Sequence, residues 1–510
     1  MGSLRKQTII SSTLVYIGFL VGLVNMYFYT TTSPFFFYKN GNIFTPSQYA
    51  LTRIFFDFAQ IMFSFGSLGV IPLIYKFYPY YKDNLPENKI DLLSWALLAS
   101  FIGFLLVLFG GWYFEPLFIR KFTANSQLVV DYYFWLFPFA MGMLFFSVIE
   151  SFCWAVQKSV LSNFLKETGL RLLTTVIILL YYFKIISFPV FVYLFAFQYL
   201  AVFLVLLIYL YRTGHLHFTF QVSRVTRKFK KKLLGMQALI FGGTVIAAVA
   251  ATIDSLIIAS LKGLTATGIF VFAQYAANLI QVPQRSIQSI SAGILSRAWK
   301  DKDYKEINRI YSRSCINLLL MSLFIFGNLW LNMVDAMQVL HIQKDYSDGL
   351  GVLFILGMVR IIDAGTGLNA MVINTSTFWR FDFYSGVILL AFRLPLTYYL
   401  IKHFGIIGSA FAELTAYSVY NFIRYEFLRR KFSMQPFNLK TLYSLLLAAA
   451  AYGCCYFLMK DIHGWTGLIL RTATFSGIMI VGIFYGKLTP DAGQLYEVFQ
   501  KRLSAFRNKN

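Results

Sequence analysis

Residues 349–381 read GLGVLFILGMVRIIDAGTGLNAMVINTSTFWRF. The stretch is apolar and long enough to cross a bilayer, for which about twenty residues suffice. Yet Arg360 and Asp363 sit near its middle, followed by the small run Ala364, Gly365, Thr366 and Gly367. A charge at the centre of a lipid-facing helix costs roughly 3 kcal/mol or more, so such residues usually face a bundle interior or a watery cavity. A spacing of three puts Arg360 and Asp363 on one helix face, where they can pair. The stretch predicts a helix that lines a polar passage through a membrane protein.

Composition points the same way. The chain has 510 residues, 58% hydrophobic, 19% aromatic and only 13% charged, whereas soluble domains carry about 25% charged residues. The predicted class is an all-α integral membrane protein. A formal net charge of +23 does not indicate nucleic-acid binding, because the basic residues lie in short patches between apolar runs. Cytoplasmic loops of membrane proteins are rich in Lys and Arg. Cys153, Cys315, Cys454 and Cys455 form no CxxC or Cys/His ligand spacing, so neither a metal site nor a cofactor is expected. No catalytic triad order, carboxylate pair, glycine-rich phosphate loop or Walker motif is present, and an enzyme is not expected. The first apolar run is too long for a signal-peptide core and reads as a retained first helix.

The twenty-residue rule predicts about fourteen transmembrane helices. The first six cover 8–30, 49–76, 91–112, 128–156, 161–183 and 188–211. The next six cover 233–260, 265–294, 311–333, 348–373, 382–402 and 406–428, and the last two 441–460 and 465–486. With the N-terminus inside, most of the 45 Lys and Arg fall on the cytoplasmic side. The largest patches are Arg212 with 224–232, then 297–313, then 424–440. A missed or invented helix would invert the parity and spoil this asymmetry. The expectation is a multi-pass inner (plasma) membrane protein with both termini cytoplasmic.

An internal repeat divides the chain. Lys158 precedes Arg171 as Arg380 precedes Arg393, by thirteen residues, and the pairs are offset by 222 positions. The expected organisation is an N-terminal lobe (1–211, helices one to six) and a basic cytoplasmic loop (212–232). A C-terminal lobe (233–432, helices seven to twelve) and a tail region (433–510, helices thirteen and fourteen and a cytoplasmic end) follow. An even number of helices per half makes the repeats parallel, in a pseudo-twofold arrangement with substrate bound between lobes. The offset sets Arg360 and Asp363 opposite Pro138 and Met141, so their charge belongs to the second half alone.

Depth along each helix, at about 1.5 Å per residue, sorts the candidate site residues. Arg171, Arg360 and Arg393 fall near the midplane with Asp363 close by. Arg53 and Asp57 lie in the outer half of helix two, four apart on one face. Asp254 falls near the outer end of helix seven, Arg285 near the inner end of helix eight, and Glu413 in the outer half of helix twelve. Asn369 and Asn374 add uncharged polar groups. One reading is a cationic cavity for an anionic ligand, because Arg offers a bidentate fork to phosphate and stays charged. The other reading is structural: Arg53–Asp57 and Arg360–Asp363 pair and lock helices, and Arg285 snorkels to headgroups. Arg171 and Arg393 show no evident acid three or four residues away and favour the cavity. Pro72, Pro138, Pro283 and Pro395 sit in or near predicted helices as possible kinks. The segment 296–313 reads as a charged loop or surface-lying amphipathic helix.

Four stretches carry a resemblance: YALTRIFFDFAQIMFSFGSLGVIPLIYKFYP (49–79), SRAWKDKDYKEINRIYSRS (296–314), MVRIIDAGTGLNAMVINTSTFWRFDFY (358–384) and FGIIGSAFAELTAYSVYNFIRYEFLRRKFSMQPF (404–437). They resemble the polysaccharide (O-antigen, lipid-linked oligosaccharide) flippases of the multidrug/oligosaccharidyl-lipid/polysaccharide exporter superfamily. The resemblance implies two six-helix lobes around a central cavity whose arginines bind pyrophosphate. It implies transfer of undecaprenyl-pyrophosphate-linked oligosaccharide from the inner to the outer leaflet. It implies partnership with that substrate, with membrane lipids and with polysaccharide polymerase or assembly proteins. Asp57, Asp254, Asp363 and Glu413 are the ion-coupling candidates. Competing readings are a peptidoglycan-precursor flippase, a cation-coupled multidrug exporter, for which cavity acids would outnumber arginines, and a scaffold for a polymerase.

Overall fold

The computed structural model describes residues 2–32, 43–156, 158–214, 216–219 and 221–491; the expected cytoplasmic tail beyond 491 lies outside them. The described chain is overwhelmingly helical, as hydropathy predicts. It divides into two compact units, 1–268 and 269–510.

Unit 1 holds α1 (Gly2–Thr30), α2 (Pro46–Gly66), α3 (Ile71–Asn84), α4 (Leu92–Phe122), α5 (Gln127–Asp131), α6 (Leu136–Ala155), α7 (Ser159–Phe164), α8 (Leu170–Tyr182), α9 (Phe188–Arg212) and α10 (Arg224–Leu261). α2 starts with a capping box, in which Thr45 and Gln48 satisfy each other's backbone N–H groups. The core is aromatic where α2, α6 and α9 meet: Phe139 stacks on Phe195 at 5.4 Å, and Phe55 and Tyr199 meet Phe139 edge-on. α10 packs on α2, so packing groups residues 212–268 with the first half. Repeat spacing and packing thus cut the chain at different places.

Unit 2 opens within α11 (Leu264–Asn278) and continues through α12 (Val282–Lys300), α13 (Tyr304–Val339), α14 (Leu350–Gly365), α15 (Asn369–Asn374), α16 (Trp379–Phe404), α17 (Ile406–Phe432), α18 (Leu439–Met459) and α19 (Gly464–Tyr485). α17 packs against α14 and α16, and the last pair, α18 and α19, packs on α13. That last contact is locked by charge as well as by apolar burial. Arg471 of α19 pairs with buried Asp335 of α13 and donates to the Leu331 and Met459 carbonyls at 3.3 Å.

The burial pattern is inverted relative to a soluble protein. Leu106, Phe109 and Trp112 on α4 are 60%, 62% and 68% exposed, while Asp57, Glu413 and Arg360 are 2%, 2% and 5% exposed. Apolar side chains outside and charges inside is what a hydrocarbon solvent selects. Among the described residues, eight helices are long and apolar enough to cross a membrane, or nine if α2 and α3, bent by 45°, form one broken span. The expected count of fourteen is not reached by this measure. Three of the missing spans are interrupted: a π-helical turn at Leu165–Gly169 separates α7 from α8, a 3-10 turn at Leu279–Gln281 separates α11 from α12, and residues 366–368 separate α14 from α15. α17 is not among the counted spans, and only Ile17–Thr30 of α1 counts as a shorter apolar helix.

The prolines mark starts more than kinks. Pro72 and Pro283 occupy the first turns of α3 and α12, where no N–H is required, while Pro395 lies inside α16. The segment 296–313 is not a separate surface helix: α12 runs to Lys300, a short turn follows, and Asp303 caps α13 by accepting from the Glu306 N–H at 3.0 Å.

Gly327 of α13 lets α19 approach. A Cβ at this position would lie 2.1 Å from the Phe475 ring, which is fully buried. Gly327→Leu is expected to cost about 1–3 kcal/mol by overpacking. The lowered thermal midpoint in detergent should largely recover in Gly327→Leu/Phe475→Ala; an unchanged midpoint in the single variant refutes the contact.

Candidate functional site

The polar interior of unit 2 is built from three helices. Arg360 projects from α14, Arg393 from α16, and both converge on Glu413 of α17. Arg360 Nη2 lies 2.9 Å from Glu413 Oε1, and Arg393 Nη2 lies 3.7 Å from Glu413 Oε2. All three side chains are more than nine-tenths buried. Tyr417, one turn beyond Glu413, holds its ring 5.8 Å from each guanidinium carbon, within the range of a cation–π contact.

A second set adjoins the first along α14 and α17. Asp363 accepts from Gln281 Nε2 at 3.0 Å and from Asn421 Nδ2 at 3.2 Å. Asn421 in turn accepts from Thr366 Oγ1 at 3.0 Å and Asn369 Nδ2 at 2.9 Å. Further along, Arg424 donates to Asp382 at 2.8 Å and stacks 3.7 Å from the Tyr420 ring. The break after α14 positions this network. Gly367 adopts φ +69°, and a Cβ there would meet Cys315 Sγ at 2.6 Å. Only glycine suits that turn, which brings Thr366 and Asn369 onto Asn421.

These contacts correct two expectations. Arg360 does not pair with Asp363; it closes on Glu413 of another helix, and Asp363 is satisfied by amides. Arg393, without an acid nearby in sequence, finds the same Glu413. A buried guanidinium demands a counter-charge, and within unit 2 Glu413 supplies it to two at once.

In unit 1, Arg53 Nε pairs with buried Asp57 at 3.0 Å as its spacing predicts, and Ser255 of α10 donates to the same carboxylate. Asp254 is buried beside Ser255. Arg171 is half-buried and pairs with Glu167 at 3.7 Å, so it does have an acid four residues away. Its carbonyl accepts from Asn25 Nδ2 at 2.8 Å. Arg285 on α12 and Asn374 at the end of α15 are exposed. Asn369 is the one uncharged candidate that joins the buried network of unit 2.

Tyr417, Asn421 and Gln281 were not among the predicted site residues. A signal for two of them exists: Glu413, Tyr417, Asn421 and Arg424 recur at spacings of four, four and three, a single polar stripe on a helix. Among the described residues no group of His, Cys, Asp and Glu is arranged to hold a metal ion.

At the level of sequence, no family model and no curated protein matches this chain. Solved structures do match. The lipid II flippase MurJ in an inward closed conformation aligns with a TM-score of 0.69 at 14% identity, covering 95% of this chain and 99% of that one. An inward-facing multidrug resistance MATE family transporter of the MOP superfamily gives 0.60 at 14% identity, covering 83% and 98%. The Vibrio cholerae MATE transporter VcmN, in the bent form, gives 0.52 at 14% identity, covering 85% and 98%. The fold is therefore that shared by these transporters.

Glu413→Gln removes the one carboxylate held by two buried arginines. It is expected to cost about 3–5 kcal/mol, read as a sharp drop in the thermal midpoint in detergent. Asp363→Asn, where amides already serve the carboxylate, should cost less. Equal midpoints for the two variants would contradict this ranking.

Proposed function

We propose that the protein is a transporter that moves a polyprenyl-pyrophosphate-linked oligosaccharide from the inner to the outer leaflet of the plasma membrane by alternating access, for surface polysaccharide synthesis. The observation that carries this reading is the meeting of Arg360 and Arg393 on a single Glu413. Two guanidiniums converge on one carboxylate at a depth where an uncompensated cation is costly, and an anionic phosphate group is the ligand whose oxygens paired arginines suit. Binding requires Glu413 to yield at least one arginine, which makes Glu413 the leading coupling acid. Asp363 is second, since it shares α14 with Arg360. Asn369 adds a polar contact within reach of the same network. Arg53, Arg171, Arg285 and Asn374 are secondary candidates, the first two being engaged with Asp57 and Glu167.

The likeness to a lipid II flippase over 95% of the chain supports a lipid-linked substrate over a soluble drug. It equally supports the second reading, a peptidoglycan-precursor flippase, which shares the pyrophosphate and differs in the sugar. The multidrug reading is favoured by the MATE likeness in fold but leaves the arginine pair without a purpose.

The test is Arg360→Ala, Arg393→Ala and the double variant at normal expression, scored for surface polysaccharide and for cell lysis. Loss of polymer with intact cell walls supports the oligosaccharide reading, whereas lysis moves the assignment to the peptidoglycan precursor. Wild-type polymer and normal growth in all three variants refute a role for the pair in transport. Arg360→Lys keeps the charge but not the fork and is expected to retain only partial activity.

A further inference from the structure

We propose that unit 1 carries a binding site for one anionic diacyl phospholipid of the surrounding bilayer, separate in role from the transported substrate. A cavity of about 380 Å³ opens between α3, α4 and α10, within the range of ligand pockets. Its walls are apolar, with Leu73, Ile74, Trp95, Ala99 and Leu234 prominent, and Lys230 is the one charged residue in its lining. Leu234 and Val222 at its edge are 56% and 42% exposed, so the cavity opens at the surface of unit 1.

The charge beside it is one-sided. α10 begins RVTRKFKKK, with Arg224, Arg227, Lys228, Lys230, Lys231 and Lys232 all exposed, and the first acid on the helix is Asp254. α10 has 38 residues, about 57 Å at 1.5 Å each, nearly twice the hydrocarbon thickness of about 30 Å. Its basic turns therefore extend to headgroup level, where clusters of this size attract anionic lipids. The nearby acids do not cancel them. Asp91 is buried and occupied by the Ser223 N–H at 2.9 Å and the Thr226 hydroxyl at 2.8 Å. Asp83 and Glu87 are exposed and accompanied by Lys82 and Lys89. An apolar slot with a cationic rim matches one acyl chain below a phosphate.

Occupancy also has a structural consequence. Val70, at the bend between α2 and α3, lines the cavity. Next to it Gly69 adopts φ +74°, with its Cβ position 2.6 Å from the Gln237 carbonyl of α10. An acyl chain in the slot braces the bend against α10.

The experiment is native mass spectrometry of the full chain in detergent, titrated with phosphatidylglycerol or phosphatidylcholine of identical acyl chains. One phosphatidylglycerol is expected to bind at least about tenfold more tightly than phosphatidylcholine. Lys228→Gln/Lys230→Gln/Lys231→Gln should abolish that preference, because about fivefold per lysine over three lysines exceeds a tenfold gap, without changing phosphatidylcholine binding. Ala99→Phe should reduce both lipids while the thermal midpoint in lipid-free detergent stays unchanged. Arg360→Ala should leave the preference intact, which separates this site from the proposed transport site. Equal binding of the two lipids by the wild-type chain, a preserved preference in the triple variant, or equal competition by glycerol phosphate without acyl chains would each overturn the proposal.

Discussion

A single carboxylate, Glu413, holds two arginines that arise on different helices, and the polar interior of unit 2 is arranged around it. In a low-dielectric setting neither guanidinium is tolerable alone. The carboxylate therefore fixes α14 and α16 to α17 with a specificity that apolar packing does not supply. The same rule recurs elsewhere. Asp335 meets Arg471, Asp382 meets Arg424, Glu150 meets Lys166 at 2.9 Å, and Asp91 takes donors from the start of α10. Each of these acids is answered from another element of the chain, so these pairs act as cross-links of the bundle.

The breaks in the helices belong to the same economy of buried polar groups. Backbone freed from a helix at membrane depth must find partners inside the protein. The break at 366–368 finds them: the Leu368 N–H donates to Ser314 Oγ at 3.2 Å, and Thr366 bonds to Asn421. The break at Leu279–Gln281 delivers the Gln281 amide to Asp363. These two interruptions are thus the means by which the polar network is assembled. An unbroken α14 would carry Asn369 on along its own axis instead of turning it onto Asn421.

Much of this was legible in residues 349–381. The apolar run announced a membrane helix, Arg360 and Asp363 announced an interior face, and the small run from Ala364 to Gly367 marks where the helix stops. The Arg53–Asp57 pair was also legible, since both residues share one helix face. The partner of Arg360 is not legible, because Glu413 lies on another helix while Asp363 is the near acid; Glu167 beside Arg171, and the stripe of Glu413, Tyr417 and Asn421, are local patterns on single helices.

Hydropathy and charge spacing by themselves determined the all-helical membrane class and that Arg360, Arg393, Asp363 and Glu413 belong to an interior rather than to lipid-facing surfaces. These follow from the transfer cost of each side chain and the 3.6-residue period, both local properties. Only the tertiary structure decided that Arg360 and Arg393 share Glu413 and that Asp363 rests on amides. A helix brings together only residues three or four apart along its own axis. Partners on other helices are chosen by how those helices pack, which depends on contacts far apart in the chain, such as Gly327 against Phe475.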